Sequence, residues 1–157
     1  MSGDTESGRP APAPDGGDRD GAAWDSEARV HAMLDAYGAA FEAYDAPAIA
    51  AHFAVPTLLV RDGTTTTLDA PADVLDSVER LLDLHRAWGV ETARIAALAV
   101  VETAPAHVIA RVDWRLGRRA SRLRWTYTTT YVLVPADAPD APGGLRIAAA
   151  LTHDAPF

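Results

Sequence analysis

The chain has 157 residues, and 48% of them are hydrophobic, which is enough for one domain with a sizeable core. A net charge of −8 and a pI near 4.9 argue against nucleic acid or an anionic membrane surface as partner, because both need a basic face. Cysteine is absent, which removes disulfides, thiolate metal sites and cysteine nucleophiles together.

Residues 1–24, MSGDTESGRPAPAPDGGDRDGAAW, are rich in Gly, Pro, Ala and Asp, with little apolar bulk beyond Trp24. Such a segment cannot bury enough surface to offset its ordering entropy. The expectation is a disordered acidic tail, followed by a single domain over 25–157. No apolar run follows a basic start, as a signal peptide requires, and no apolar segment reaches the roughly 18 residues of a membrane span. The expected location is the cytoplasm.

Residues 26–44 read as an amphipathic helix: Val30, Met33, Leu34, Tyr37, Phe41 and Tyr44 recur at helical spacing, and Asp25 or Ser26 suits its start. DAPAIAAHF then gives a short second helix with Asp45 as cap and Pro47 in its first turn. VPTLLVRDGTTTTL reads as two short strands joined by a turn at Asp62-Gly63. DAPADVLDSVERLLDLHRAWG repeats the cap-then-proline device at Asp69 and Pro71. Its stripe is Val74, Val78, Leu81, Leu82 and His85, and Gly89 ends it. Three long strands are expected at 91–103, 106–117 and 121–134, with a last strand in LRIAAALTHD. Helices on one face of a curved antiparallel sheet make an α+β domain.

In this order the sequence resembles the NTF2-like superfamily, and within it the SnoaL-like group, over about residues 26–154. The resemblance rests on LDAYGAAFEAYDAPAIAAHFAVPTLLV, the helix ending HRAWG, and the strands TYTTTYVLV and GLRIAAALTHD. Relatives often begin the last strand Gly-Trp-Arg-Ile; here it is Gly144-Leu145-Arg146-Ile147. The resemblance implies a cone, a bent sheet wrapped around about three helices and open at one end to an apolar pocket. It also implies a homodimer formed through the outer sheet face. Some relatives are cofactor-free isomerases, hydrolases, dehydratases or cyclases, and others are binding or accessory domains, so the fold does not settle function.

Arg111-x-Asp113 resembles half of the acid pair used by epoxide hydrolases of this fold, but the next strand, 121–134, has no Asp or Glu to supply the other half. Alternation adds that Val108, Ala110, Val112, Trp114 and Leu116 form one apolar face. His107, Arg111, Asp113 and Arg115 then face outward unless a bulge swaps the register. The candidate catalytic residues are Asp113, Tyr37 and His153, with Tyr37 resembling a carbonyl-polarising donor. The candidate pocket lining is Tyr37, Phe41, Phe53, Trp88, Trp114, Trp125 and Tyr127. The five histidines lack metal-ligand spacing, so neither metal nor cofactor is expected. The favoured function is binding of a small apolar molecule in the cone. The alternatives are a cofactor-free isomerase, lyase or cyclase, and a dimerisation module with a self-filled cone.

Overall fold

The computed structural model describes residues 17–155. Helix α1 spans Gly17–Glu42, α2 Ala46–Ala50 and α3 Pro71–Trp88. The strands are β1 (Phe53–Arg61), β2 (Thr64–Leu68), β3 (Thr92–Ala104), β4 (His107–Gly117), β5 (Arg124–Pro135) and β6 (Leu145–His153). A short turn of 3-10 helix at Pro142–Gly144 leads into β6. The strands form one sheet in the order β2-β1-β6-β5-β4-β3. Every pairing is antiparallel except β1 with β6.

Helix α1 starts at Gly17, inside the segment expected to be a tail; residues 1–16 lie outside the described residues. Asp25 and Ser26 therefore sit within the helix and not at its start. The strong helix formers Ala22 and Ala23 carry the helix back past them. Five of the six expected stripe residues, Val30, Met33, Leu34, Tyr37 and Phe41, are buried against the sheet, whereas Tyr44 lies past the helix end at Glu42, at φ 55° and only half-buried. Asp45 caps α2 by accepting the Ala48 N–H at 3.0 Å. The cap expected at Asp69 falls instead at Ala70, whose own N–H donates to the Asp73 carboxylate at 3.0 Å. Gly89 closes α3 in the left-handed conformation, φ 65°, which glycine adopts without a Cβ penalty.

The β4 alternation resolves as the apolar pattern requires. Val108, Ala110, Val112, Trp114 and Leu116 are all buried beneath the helices. On the opposite face Arg111, Asp113 and Arg115 stand across from Thr130, Thr128 and Thr126 of β5. Register shifts interrupt β3–β4 between Ile95 and Ala97 and between Val100 and Glu102, and β5–β6 between Val132 and Leu133. Bulges of this kind bend a sheet and raise its local twist. The sheet consequently curves around the helices and leaves room beneath its β1–β2 end.

Two polar ties fix α1 in this curve. Glu42 accepts the Ala93 N–H at 3.0 Å and pairs with Arg94 at 3.0 Å, joining the end of α1 to the start of β3. Arg29 donates to the carbonyl of Gly143 at 2.9 Å, holding the turn before β6 against the middle of α1. Between them α1 packs so closely that a Cβ on Gly38 would meet the Ala93 carbonyl at 3.0 Å and the Trp114 ring at 3.4 Å.

Candidate functional site

The curved sheet encloses a cavity of about 490 Å³ between the β1–β2 hairpin, α3 and the inner faces of β5 and β6. Its volume is within the range of small-molecule sites. Phe41 of α1, Phe53 and Leu59 of β1, Leu68 of β2, Val74, Val78 and Leu81 of α3, and Ala150 of β6 supply apolar walls. Each arises from a simple period. The α3 residues recur at three- and four-residue intervals, and the strand residues occupy alternate positions that face inward.

At the deep end stand Tyr37, Tyr127 and Tyr131, beside Thr129. Tyr37 packs edge-on against Phe41, Phe53 and Tyr131, with ring centroids 4.9, 6.0 and 6.3 Å away. Tyr131 accepts a hydrogen bond from the indole N–H of Trp114 at 3.0 Å. Burial disfavours all three phenolates. It raises Tyr37 and Tyr127 far above the usual phenol value and pushes Tyr131 up to about 12. At neutral pH these groups are neutral hydrogen-bonding hydroxyls and not bases.

The mouth has different chemistry. Arg61 and Asp62 at the β1–β2 turn, Thr64 and Thr66 of β2, and Ser77 and Arg80 of α3 surround it. Arg61 Nε lies 3.5 Å from the Asp62 carboxylate, a contact open to solvent. The site is thus an apolar chamber with neutral hydroxyls inside and charge confined to its rim.

Of the expected pocket residues, Tyr37, Phe41, Phe53 and Tyr127 line this cavity, whereas Trp88, Trp114 and Trp125 do not. Trp114 is in the core, 3% exposed, under Gly38 of α1. Trp88 and Trp125 form an edge-to-face pair at 5.7 Å near the C-terminus of α3, with Trp88 37% exposed. Arg118 donates to the Trp88 carbonyl there.

The three expected catalytic residues are not brought together. Tyr37 lines the cavity; Asp113 and His153 lie on the outer face of the sheet. There Asp113 accepts a hydrogen bond from Thr128 Oγ1 at 2.7 Å, and His153 contacts Thr130 Oγ1 at 3.3 Å. Among the described residues no group of three or more His, Asp or Glu is arranged to hold a metal.

Sequence reasoning missed Arg61, Thr129, Ala150 and the α3 wall as lining. Strand alternation was signal enough for Tyr131, which shares the inner face with Tyr127. For Arg61, alternation alone also places it inward, but a charged side chain at the end of an edge strand reads equally well as solvated.

A family model described as NTF2-like protein (DUF6841) matches residues 26–155. The chain belongs to this NTF2-like family. Solved structures agree on the fold. An NTF2-like protein of unknown function from Pseudomonas putida is 16% identical, with a TM-score of 0.63 over 86% of this chain and 88% of that one. A protein of unknown function from Mycobacterium tuberculosis is 15% identical, with a TM-score of 0.63 over 83% and 76% of the two chains. A putative calcium/calmodulin dependent protein kinase II association domain from Xanthomonas campestris is 16% identical, with a TM-score of 0.57 over 93% and 94%. No curated protein matches the chain. In this NTF2-like chain no helix among the described residues is long and apolar enough to cross a membrane.

Proposed function

We propose that this NTF2-like domain binds a small, largely apolar molecule in the cavity under the β1–β2 hairpin, with an oxygen of the ligand meeting the tyrosine hydroxyls. One observation carries the reading: a chamber of about 490 Å³ is left open beside a contiguous cluster of buried apolar side chains. A module that only dimerised would gain stability by filling that space, since unfilled apolar volume forfeits packing energy. The acid–base alternative has less behind it. The deep tyrosines are held neutral, and the one carboxylate lining the cavity, Asp62, sits exposed at its rim.

Fluorescence titration with the neutral apolar probe N-phenylnaphthylamine tests this. The expected result is saturable binding at one site per chain, lost in Val78→Trp, where an indole occupies the chamber. Absence of binding, or binding that Val78→Trp leaves intact, overturns the reading.

We further propose that two copies pair through the outer face of the sheet. Arg111 and Asp113 have opposite charge and lie two residues apart on that face, an arrangement that is self-complementary about a twofold axis. Sedimentation of Arg111→Glu should show a monomer, and a dimer of undiminished strength argues against this face.

A further inference from the structure

We propose that the β4–β5 hairpin docks its tip on an anionic lipid surface, Arg119 and Arg122 meeting headgroup phosphates and Leu123 entering the edge of the acyl layer. This surface is separate from the cavity and does not depend on what the cavity binds.

Charge is unevenly spread along the chain. The net value is −8, yet the connection GRRASRLRW, residues 117–125, holds Arg118, Arg119, Arg122 and Arg124 with no Asp or Glu. All four are exposed. Arg118 donates to the Trp88 carbonyl at 2.7 Å, and Arg124 donates to the carbonyls of Arg118, Ser121 and Leu123. Carbonyl partners fix these two guanidinium groups without neutralising them. Glu91, at the base of the tip, accepts the backbone N–H of Arg119 at 2.6 Å and holds the turn. Counting Glu91, the tip still carries an excess of positive charge.

The acidic groups gather at the opposite end. Asp137 and Asp140 lie in the loop before β6, and Asp25 and Glu27 lie within a turn of Arg29, which is bonded to Gly143 of that connection. The 12 residues of β5 run from the arginines to this acidic end, a span of roughly 40 Å at about 3.4 Å per residue. Physiological salt screens charges over about 8 Å, so the acidic end does not repel what the tip touches. The asymmetry also turns the tip toward an anionic surface. The whole-chain charge argues against such a partner, but the fold concentrates the basic face that the average hides.

Two features favour a lipid surface over an acidic polypeptide. The tip of a hairpin is convex, a shape suited to a broad surface. Apolar side chains also stand beside the arginines: Leu123 is 53% exposed between Arg122 and Arg124, and Leu84 and Trp88, one turn apart on α3, are exposed where Arg118 meets the helix end. These are three of the six large apolar side chains exposed among the described residues. Arginine for the phosphates, with leucine and tryptophan at the same level, suits a headgroup boundary. The Trp88–Trp125 pair and the Arg118 bond hold the tip against α3, so docking has little left to order.

Cosedimentation with vesicles tests this. Vesicles of phosphatidylcholine mixed with phosphatidylglycerol should take up the native chain at least about tenfold better than pure phosphatidylcholine, and about 1 M salt should remove the preference. Arg119→Glu combined with Arg122→Glu should abolish it at an unchanged denaturation midpoint, since both side chains are exposed. Leu123→Ser keeps every charge and should weaken uptake about fivefold. Absence of a preference for the anionic vesicles overturns the proposal; if the native chain then binds soluble poly-glutamate and the double variant does not, the face takes an acidic polypeptide instead. A preference that survives the double substitution places the contact elsewhere on the molecule. Uptake unchanged in Leu123→Ser rejects entry of the tip into the lipid.

Discussion

Tyr131 joins the cavity to the core, because its hydroxyl faces the tyrosine cluster while accepting the buried indole N–H of Trp114. Tyr131→Phe strands that donor in a place without water. The expected cost is about 1–3 kcal/mol, measured by chemical denaturation. Trp114→Phe in the Tyr131→Phe background should cost less than Trp114→Phe alone, because there it also removes the donor that Tyr131→Phe left unsatisfied. Asp113 makes the opposite case. It lies outside, on Thr128 and on the proposed dimer face, so Asp113→Asn should leave ligand binding unchanged and, apart from a weaker dimer, shift the stability of the fold by less than about 0.5 kcal/mol. The continuous apolar face of β4 made that outward position legible from the sequence. The tryptophans were not legible in the same way. A tryptophan fits core, cavity wall or surface pair equally well, and only the packing of α1 on Trp114 decides between them.

Elements here are fixed at their ends and by their buried titratable groups. Gly143 adopts φ 63°, and a Cβ there would meet the Arg29 carbonyl oxygen at 2.1 Å. That neighbour is backbone in the middle of α1 and cannot yield cheaply. Gly143→Ala should therefore destabilise by about 2 kcal/mol or more, through both strain and clash. Helix α3 adds a pH dependence. His85, 3% exposed and tilted against Phe41 at 5.3 Å, has its pKa lowered by burial to about 4 from 6.5. Above pH 6.5 the ring is neutral in both folded and unfolded chains. As pH falls through 6.5 the unfolded chain takes up the proton first, so stability declines steadily until about pH 4. The gap corresponds to about 3 kcal/mol, and His52, lowered by burial in the same direction, adds to the decline. Denaturation midpoints at pH 7 and pH 5 should therefore differ clearly in the native chain, and by less in His85→Leu. Apolar periodicity exposed α3 and its His85 in the sequence. It missed the start of α1, since the Gly- and Asp-containing turn ahead of Trp24 has no apolar stripe to reveal it.

At the scale of the whole molecule, the α+β architecture was readable because each strand and helix carries one greasy face and the connections are short. The NTF2-like pattern followed from the order of those elements. The cavity was only half readable. Its α1 and β1 aromatics announced themselves as large inward residues, but its outline depends on how far β1 and β2 stand off from α3. That spacing follows from the bulges and from the parallel β1–β6 pairing, in which Phe53 and Leu58 fall on either side of a register shift. No local pattern encodes it. What the assembled molecule offers is one apolar chamber with neutral hydroxyls at depth and arginines at its entrance. The most direct measurement of this account is a titration of N-phenylnaphthylamine into the native chain, Val78→Trp and Asp113→Asn. The account predicts one site per chain in the native and Asp113→Asn proteins and none in Val78→Trp. Binding that survives in Val78→Trp would contradict it, and binding lost in Asp113→Asn would point instead to the outer face of the sheet.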